Sequence, residues 1–424
     1  MRTPSLPSRP PALVAKYYAY RATATFGFFW PIFTVFLLSR DLSYTQIALL
    51  GSLSAAVSVL GELPTGYVGD RVGRRNSLLL GALARAVSVY ALAFAESFPA
   101  FVALYVVWAV GGAFTSGAGD AWLYDVLAER LDASAFTRVR GRGGAVNMTV
   151  SAVTMLAAGA LYAADPRLPF LVGGTVNAAG VPVLLAMPRV DDTRDRERNG
   201  DGAGDGERNG DGTGEGDGHL GVGDAARIVR TQLLRPPVRS VVAGVALFFG
   251  VVGAVDTYIQ PIAVDAVGLS ELALGPLYAG FSAVAAVASY HADRLERALG
   301  TAGVLAGVPV VVSASLVVPA AVAPTLAVPA FVALKGAREV VAPVASGYVN
   351  ANVDSVGRTT VLSAAAMCYG TVRLVLKPVA GMVADAFGPL ATVAGLGAVL
   401  AAGVLVVRGA VALTDADDVD AARA

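Results

Sequence analysis

The sequence predicts an all-α integral membrane protein, with twelve transmembrane helices in two pseudo-symmetric six-helix bundles. Three observations carry this prediction. Of 424 residues, 55% are hydrophobic and only 15% charged, whereas a soluble domain has about 25% charged residues. The apolar residues fall into twelve runs of about 20, the length that crosses a bilayer as a helix. A polar Gly/Asp-rich tract divides these runs six from six, and motifs of the first half recur in the second.

Composition also excludes several classes. The formal net charge is zero and no basic tract interleaved with aromatics occurs, so the chain lacks the electrostatic footprint of a nucleic-acid binder. The single cysteine, Cys368, cannot form an internal disulfide, and no Cys/His cluster has metal-ligand spacing. No metal and no cofactor are expected. A phosphate-cradling G-x-x-x-x-G-K-[ST] loop is absent, so ATP does not drive the protein directly. The N-terminus has Arg2, Arg9 and four prolines before Leu13, with no short apolar core and cleavage site. It therefore reads as leading into a retained span rather than as a signal peptide.

Taken in order, the first-half spans cover about 13–38, 46–69, 77–95, 100–126, 144–163 and 169–187. The second-half spans cover about 239–262, 271–291, 300–320, 325–348, 360–383 and 388–408. Loop arginines set the orientation, because Lys and Arg accumulate on the cytoplasmic side. One set of loops holds Arg71, Arg74, Arg75, Arg130, Arg138, Arg140, Arg142, Arg294, Arg297 and Arg358, while the other holds only Arg40 and Arg167. Both termini are then cytoplasmic, in a multi-pass protein embedded in the lipid bilayer.

Between the halves, residues 197–206 and 207–216 form a tandem decapeptide that starts Glu-Arg-Asn-Gly-Asp-Gly in both copies. Its composition offers too little apolar surface to offset the entropy of ordering, which predicts a linker. The acidic spacing does not meet a calcium loop's D-x-[DN]-x-[DN]-G with a glutamate at position twelve. Next, residues 224–235 separate Arg227, Arg230 and Arg235 from aliphatics at helical spacing, as a helix lying on the inner membrane surface would. The division is thus 1–188 for the first bundle, 189–237 for the linker and 238–424 for the second. The halves resemble each other: the stretch from Asp41 (DLSYTQIALL) is answered from Gly268 (GLSELALGPL), and nearly the same interval separates Asp70 from Asp293 as Asp125 from Asn350.

The loop after the second span reads Gly66-Tyr-Val-Gly-Asp70-Arg71-Val-Gly73-Arg74-Arg75. A degraded copy, Ser289-Tyr-His-Ala-Asp293-Arg294-Leu-Glu-Arg297, stands in the matching place of the second half. A topology anchor explains the arginines but not the aspartate, which opposes such an anchor. The stretch resembles the loop 2-3 signature of the major facilitator superfamily, and the resemblance extends over essentially the whole chain. It implies parallel six-helix repeats about an axis along the membrane normal. It also implies a conformational latch. Gly66 would allow close helix approach, Asp70 would face the positive N-terminal end of the eleventh span near Thr359 and Thr360, and Arg74 would pair with Asp125. In the second copy Asp293 would face the start of the fifth span near Gly143, with Glu296 in place of the glycine making that latch weaker.

Ionisable residues inside spans mark function by default. In the first half these are Arg21, Glu62, Arg85 and Asp120, two cations and two carboxylates that could neutralise one another. Helix geometry puts Glu62 about 12 Å and Arg85 about 15 Å from the cytoplasmic edge. In the second half Lys335 and Glu339, four apart, are expected to pair within their helix. Asp256 shares a face with Gln260, and Arg338, Arg373 and Lys377 are left over. Arg373, about 22 Å from the cytoplasmic edge, is too deep to snorkel readily. That excess of positive charge favours an anionic cargo, unless Arg373 pairs with Asp256 and only holds the bundle together.

The resemblance implies a secondary transporter working by alternating access, monomeric, in the plasma membrane; the Arg-over-Lys usage suggests a prokaryote with a high-GC genome, and the acidic linker would suit a halophile. Protonatable Glu62, Asp120 and Asp256 point to the proton as coupling ion, and the charge excess to an organic anion or amphiphile as substrate. The alternatives are efflux of cationic or neutral amphiphiles and a non-transporting sensor on the same fold. Proton-linked exporters of the family often carry a Gly-Pro-rich fifth span, and the stretch from Ala145 (AVNMTVSAVTMLAAGALY) has no proline. No nucleophile elbow or metal-binding histidine cluster suggests an enzyme.

Overall fold

The computed structural model describes residues 11–189, 231–233, 235–353 and 358–421. The tandem decapeptide and most of the expected surface helix at 224–235 lie outside the described residues. All regular structure among the described residues is helical. Helix α1 comprises Ala12–Thr23 and, after a break, Phe33–Leu38. It is followed by α2 (Tyr44–Val72), α3 (Arg74–Leu92), α4 (Phe98–Arg130), α5 (Phe136–Ala164) and α6 (Leu168–Leu185). The second half contains α7 (Pro236–Val255), α8 (Glu271–Ala302), α9 (Val308–Ala321), α10 (Ala327–Ala351), α11 (Arg358–Phe387) and α12 (Pro389–Ala421).

Hydropathy and length alone mark seven segments as able to cross a membrane. They become twelve for two physical reasons. The segment Glu271–Ala321 is two helices, turned at Gly300, whose φ of 72° only glycine adopts without strain. The crossings that hydropathy misses include α3, α10 and α11, which carry Arg74, Arg75 and Arg85; Lys335, Arg338 and Glu339; and Arg373 and Lys377.

Within the first half α4 packs on α2 and α3, α3 on α6, and α1 on α5 and α6. Within the second, α7 packs on α11 and α12, α9 on α12, and α8 on α10. The halves meet where α2 lies against α11 and α5 against α8. The two turns foreseen as repeats share a conformation: Asp41 and Gly268 both have positive φ, 59° and 81°, and Ser43 and Ser270 follow as extended N-cap residues.

Two spans differ from the sequence reading because their backbones break. The first is interrupted between Thr23 and Phe33, where Gly27 lets the chain rest directly on Ser151 and Thr154 of α5. The freed polar groups find partners on other helices, as buried backbone must. Asn147 donates to the carbonyls of Arg21 and Ala24, and Asn177 to that of Thr25. The seventh span ends its α-helix at Val255 and continues through a short turn, Ile259–Pro261, into a π-helical stretch, Ile262–Ala266. Gln260 joins the two breaks: its carbonyl accepts from Thr34 N at 2.6 Å, and its amide donates to Trp30 O at 2.9 Å.

Candidate functional site

Two sets of residues bear on function, the loop between α2 and α3 and a cavity between the halves. In the loop, Gly73 adopts φ 84° and turns the chain directly from α2 into α3. Arg71 lies over the Tyr67 ring at 4.4 Å, Arg74 pairs with Asp125 of α4, and Arg75 donates to Leu185 O at 3.0 Å. Three arginines thus have three different tasks. The last adds a cation to the carbonyl end of α6, where Lys16 also donates to Ala186 O at 2.8 Å. The Asp70 side chain lies outside the described residues, and Gly66 faces open space.

The second copy is built differently. Helix α8 continues past Asp293 as far as the kink at Gly300, whose positive φ comes seven residues after the aspartate rather than three. Asp293 is therefore inside a helix, where its carboxylate accepts from Arg297 one turn on at 2.9 Å. Arg294 reaches back toward His291 at 3.3 Å. Among the described residues no hydrogen bond or ion pair joins Asp293 to the start of α5, and a Cβ on Gly143 would stand 2.5 Å from the Tyr17 ring, within its own half.

The expected neutralisation of the first half does not form. Asp120 accepts from Arg140 of α5 at 2.8 Å instead, and among the described residues Arg21, Glu62 and Arg85 make no ion pair with one another. Arg21 and Arg85 each keep a buried Nε without a hydrogen-bond partner among the described residues. Glu62 is exposed, on the wall of a cavity of about 390 Å³ shared with Gly66, Arg74 and Phe114.

In the second half Lys335 turns away from Glu339 and pairs with Asp256 of α7 at 2.6 Å. Glu339 has Arg338 as its neighbour at 3.7 Å. The in-helix pairing is set aside because Asp256 lies where α7 unwinds, and the less exposed Lys335 gains more from a carboxylate across the helix interface. Arg373 lies along Gly253 of α7. No carboxylate among the described residues is within ion-pair distance of Arg373 or Lys377.

These charges converge on a cavity of about 340 Å³ between the halves, within the range of small-molecule sites. The second half contributes Asp256, Gln260, Tyr278, Lys335, Arg373 and Lys377. The first half contributes Trp30, Phe33, Tyr105 and Trp108 together with Thr34 and Ser54, and no charged group. Phe33 stacks on Tyr105 with centroids 5.9 Å apart and planes 6° apart, and Trp108 leans on both rings. A second cavity of about 320 Å³ shares Asp256 and Arg373 and adds Arg338, Phe249 and Tyr369. Sequence reasoning identified the charges but missed the aromatic wall, since rings on α1 and α4 read as ordinary span residues.

The sequence profile of the Major Facilitator Superfamily matches residues 22–373. An "Uncharacterized MFS-type transporter YxaM" of Bacillus subtilis (strain 168) is 23% identical over 267 residues, covering 61% of this chain and 60% of that protein. The chain thus spans about three fifths of that relative's length. A "Probable vesicular acetylcholine transporter-B" of Danio rerio is 32% identical over 160 residues, 38% of this chain and 32% of that protein. Among solved structures, the nucleoside transporter NupG aligns with a TM-score of 0.71 at 10% identity, covering 94% of this chain and 97% of its own. A bacterial homolog of the human lysosomal transporter Spinster, in an inward-facing and unoccupied conformation, aligns with a TM-score of 0.66 at 18% identity, covering 94% and 93%. At these identities the structural likeness concerns the fold alone.

Proposed function

The chain belongs to the major facilitator superfamily, and from that premise we propose a secondary active transporter that moves a small organic anion across the plasma membrane by alternating access. The observation that carries the anionic cargo is the charge inventory of the central cavity. Asp256, the carboxylate in that cavity, is engaged by Lys335, and Arg373 and Lys377 face the same space with no carboxylate among the described residues within ion-pair distance of them. A deep, uncompensated cation costs several kcal/mol, and a cargo carboxylate offsets that cost in each loaded cycle. Asp256, the cavity's one carboxylate, is the group proposed to take up the coupling proton. Its protonation would release Lys335 to the cargo.

The orientation read from the loop arginines makes the α2–α3 loop cytoplasmic. On that assignment the hydrogen bonds between α2 and α11 and from Thr34 of α1 to Gln260 seal the outer side, while Gly66 faces open space on the inner side. This conformer is then open to the cytoplasm. The Arg74–Asp125 pair and Asp70 belong to the latch that closes the inner side when the halves rock back.

An amphiphilic cation is the competing cargo, suggested by the aromatic wall and by the similarity to a probable vesicular acetylcholine transporter. It would have to enter beside three cations whose one counter-charge is already paired. Flux into proteoliposomes containing the full chain decides between the two. Accumulation of labelled organic anions driven by an inward proton gradient is expected. Movement of cationic amphiphiles alone would reverse the assigned charge, and no flux of any solute would favour a sensor on the same fold.

A further inference from the structure

The central cavity is divided by chemistry along the seam between the halves. Its charged side chains come from α7, α10 and α11, and its first-half wall holds rings, aliphatics and three hydroxyls, those of Thr34, Ser54 and Tyr105. A solute bound here cannot be polar throughout, because one side would press it against Trp30, Phe33 and Trp108. Nor can it be apolar throughout, because the other side would leave Arg373 and Lys377 without a counter-charge. We propose that the cargo is an amphipathic organic anion, whose carboxylate or equivalent head sits on Arg373 and Lys377 and whose flat apolar body lies on Trp30, Phe33 and Trp108. This deepens the anion-transport reading above and rests on it.

The geometry supports both ends. Arg373 and Lys377 are one helical turn apart on α11, so their cationic groups share a face. Lys377 lies at the seam itself, its ammonium 3.3 Å from where a Cβ on Gly51 of α2 would stand. Opposite, the Phe33, Tyr105 and Trp108 rings lie within 6.1 Å of one another, centroid to centroid, and form a surface against which a planar body can lie with its face or edge. Because head and body contact different halves, the ligand is held at full strength only while both walls face it. Its affinity therefore depends on the conformational state, which coupling of binding to motion requires.

Calorimetric titration of the full chain in nanodiscs tests this with 2-naphthoate, succinate, 2-naphthylmethanol and 2-naphthylmethylammonium. Naphthoate is expected to bind at least tenfold more tightly than the other three. Arg373→Gln should lower naphthoate affinity at least tenfold and leave the neutral alcohol unchanged, whereas Trp108→Leu should weaken both. If Arg373→Gln does not fold, Lys377→Gln provides the same head-group comparison. Succinate binding as tightly as naphthoate, with Trp108→Leu without effect, overturns the amphipathic assignment but leaves anion transport standing. The alcohol binding as tightly as naphthoate removes the role given to Arg373 and Lys377. Binding of the ammonium compound alone overturns the anion reading itself.

Discussion

The Asp385 carboxylate near the end of α11 accepts the first two backbone N–H groups of α2, from Tyr44 at 2.7 Å and from Thr45 at 3.0 Å. Gln46 N donates to Ser43 Oγ and completes the cap. A helix begins with four N–H groups that lack intrahelical acceptors; here two of them are satisfied by the other half of the molecule. Gly381, one turn before Asp385, permits the approach, since a Cβ there would stand 2.8 Å from the Thr45 Cα.

Asp385→Ala is therefore expected to loosen this end specifically. Asp385 is exposed, and a carboxylate at an exposed helix N-terminus is worth about 0.3–1 kcal/mol, so the population closed at this end should fall by up to about five-fold. Spin-label distances between the Tyr44 end of α2 and the Asp385 end of α11 would lengthen. Gly381→Leu should do the same by steric wedging. An unchanged distance distribution in both variants would remove the sealing role.

The loop between α2 and α3 works at the opposite end, and its predicted response has the opposite sign. With Asp70→Asn, the helix-terminus contact assigned to the inner-closed state weakens by about 0.3–2 kcal/mol, and the inward-open population rises. Cysteines placed along the inner half of α11 would then label faster. The Arg74–Asp125 pair is already formed in this conformer, and a contact made equally in both states shifts no population, so Arg74→Ala should add to the effect only where the pair tightens on inner closure.

Gln260 offers a separate test of the seam. Its amide satisfies Thr34 N and Trp30 O and also donates to the Tyr278 hydroxyl at 3.1 Å, in a site that is 3% exposed. Gln260→Leu leaves those buried groups unmatched at about 1–3 kcal/mol for each unsatisfied group. The melting temperature in detergent should drop by several degrees, whereas a surface Gln→Leu change would leave it in place.

The spans and the twofold repeat were legible because they depend on composition and on local turn chemistry; the Asp41 and Gly268 turns follow from nearest neighbours alone. The second loop was misread because its aspartate and arginines match the first copy while the helix under them runs further, and only the position of Gly300 records that. Lys335 was assigned to Glu339 because helical spacing is visible in a sequence, while the unwinding of α7 that presents Asp256 is not. The aromatic wall and the amides of Asn147 and Asn177 gave no signal of their own. Their roles come from the break in α1, which a hydropathy profile reads as continuous span.

The decapeptide repeat carries a prediction that depends on sequence alone. Having almost no apolar surface with which to dock, residues 197–216 should be dispensable. A chain lacking them is expected to insert normally and to transport at close to the full rate in the proteoliposome assay. Lost flux with normal insertion would make the repeat a regulatory element.

The pairing of Asp256 with Lys335 rather than Arg373 is tested by which second substitution repairs the first. Asp256→Ala strips the cavity of its carboxylate and leaves three cations facing one another. Breaking a fully buried pair costs about 3–5 kcal/mol, and the cost should be smaller here because the Asp256 side chain keeps 27% of its exposure. Expression level and melting temperature should fall in the single variant. Adding Lys335→Ala removes the stranded partner and should recover most of the loss, while naphthoate binding persists because Arg373 and Lys377 remain. Adding Arg373→Ala instead should leave Lys335 unpaired, recover less stability and abolish binding. If the Arg373 combination were the one that restored both the fold and flux, Arg373 would be the structural partner of Asp256, and the head-group site would have to move to Lys335.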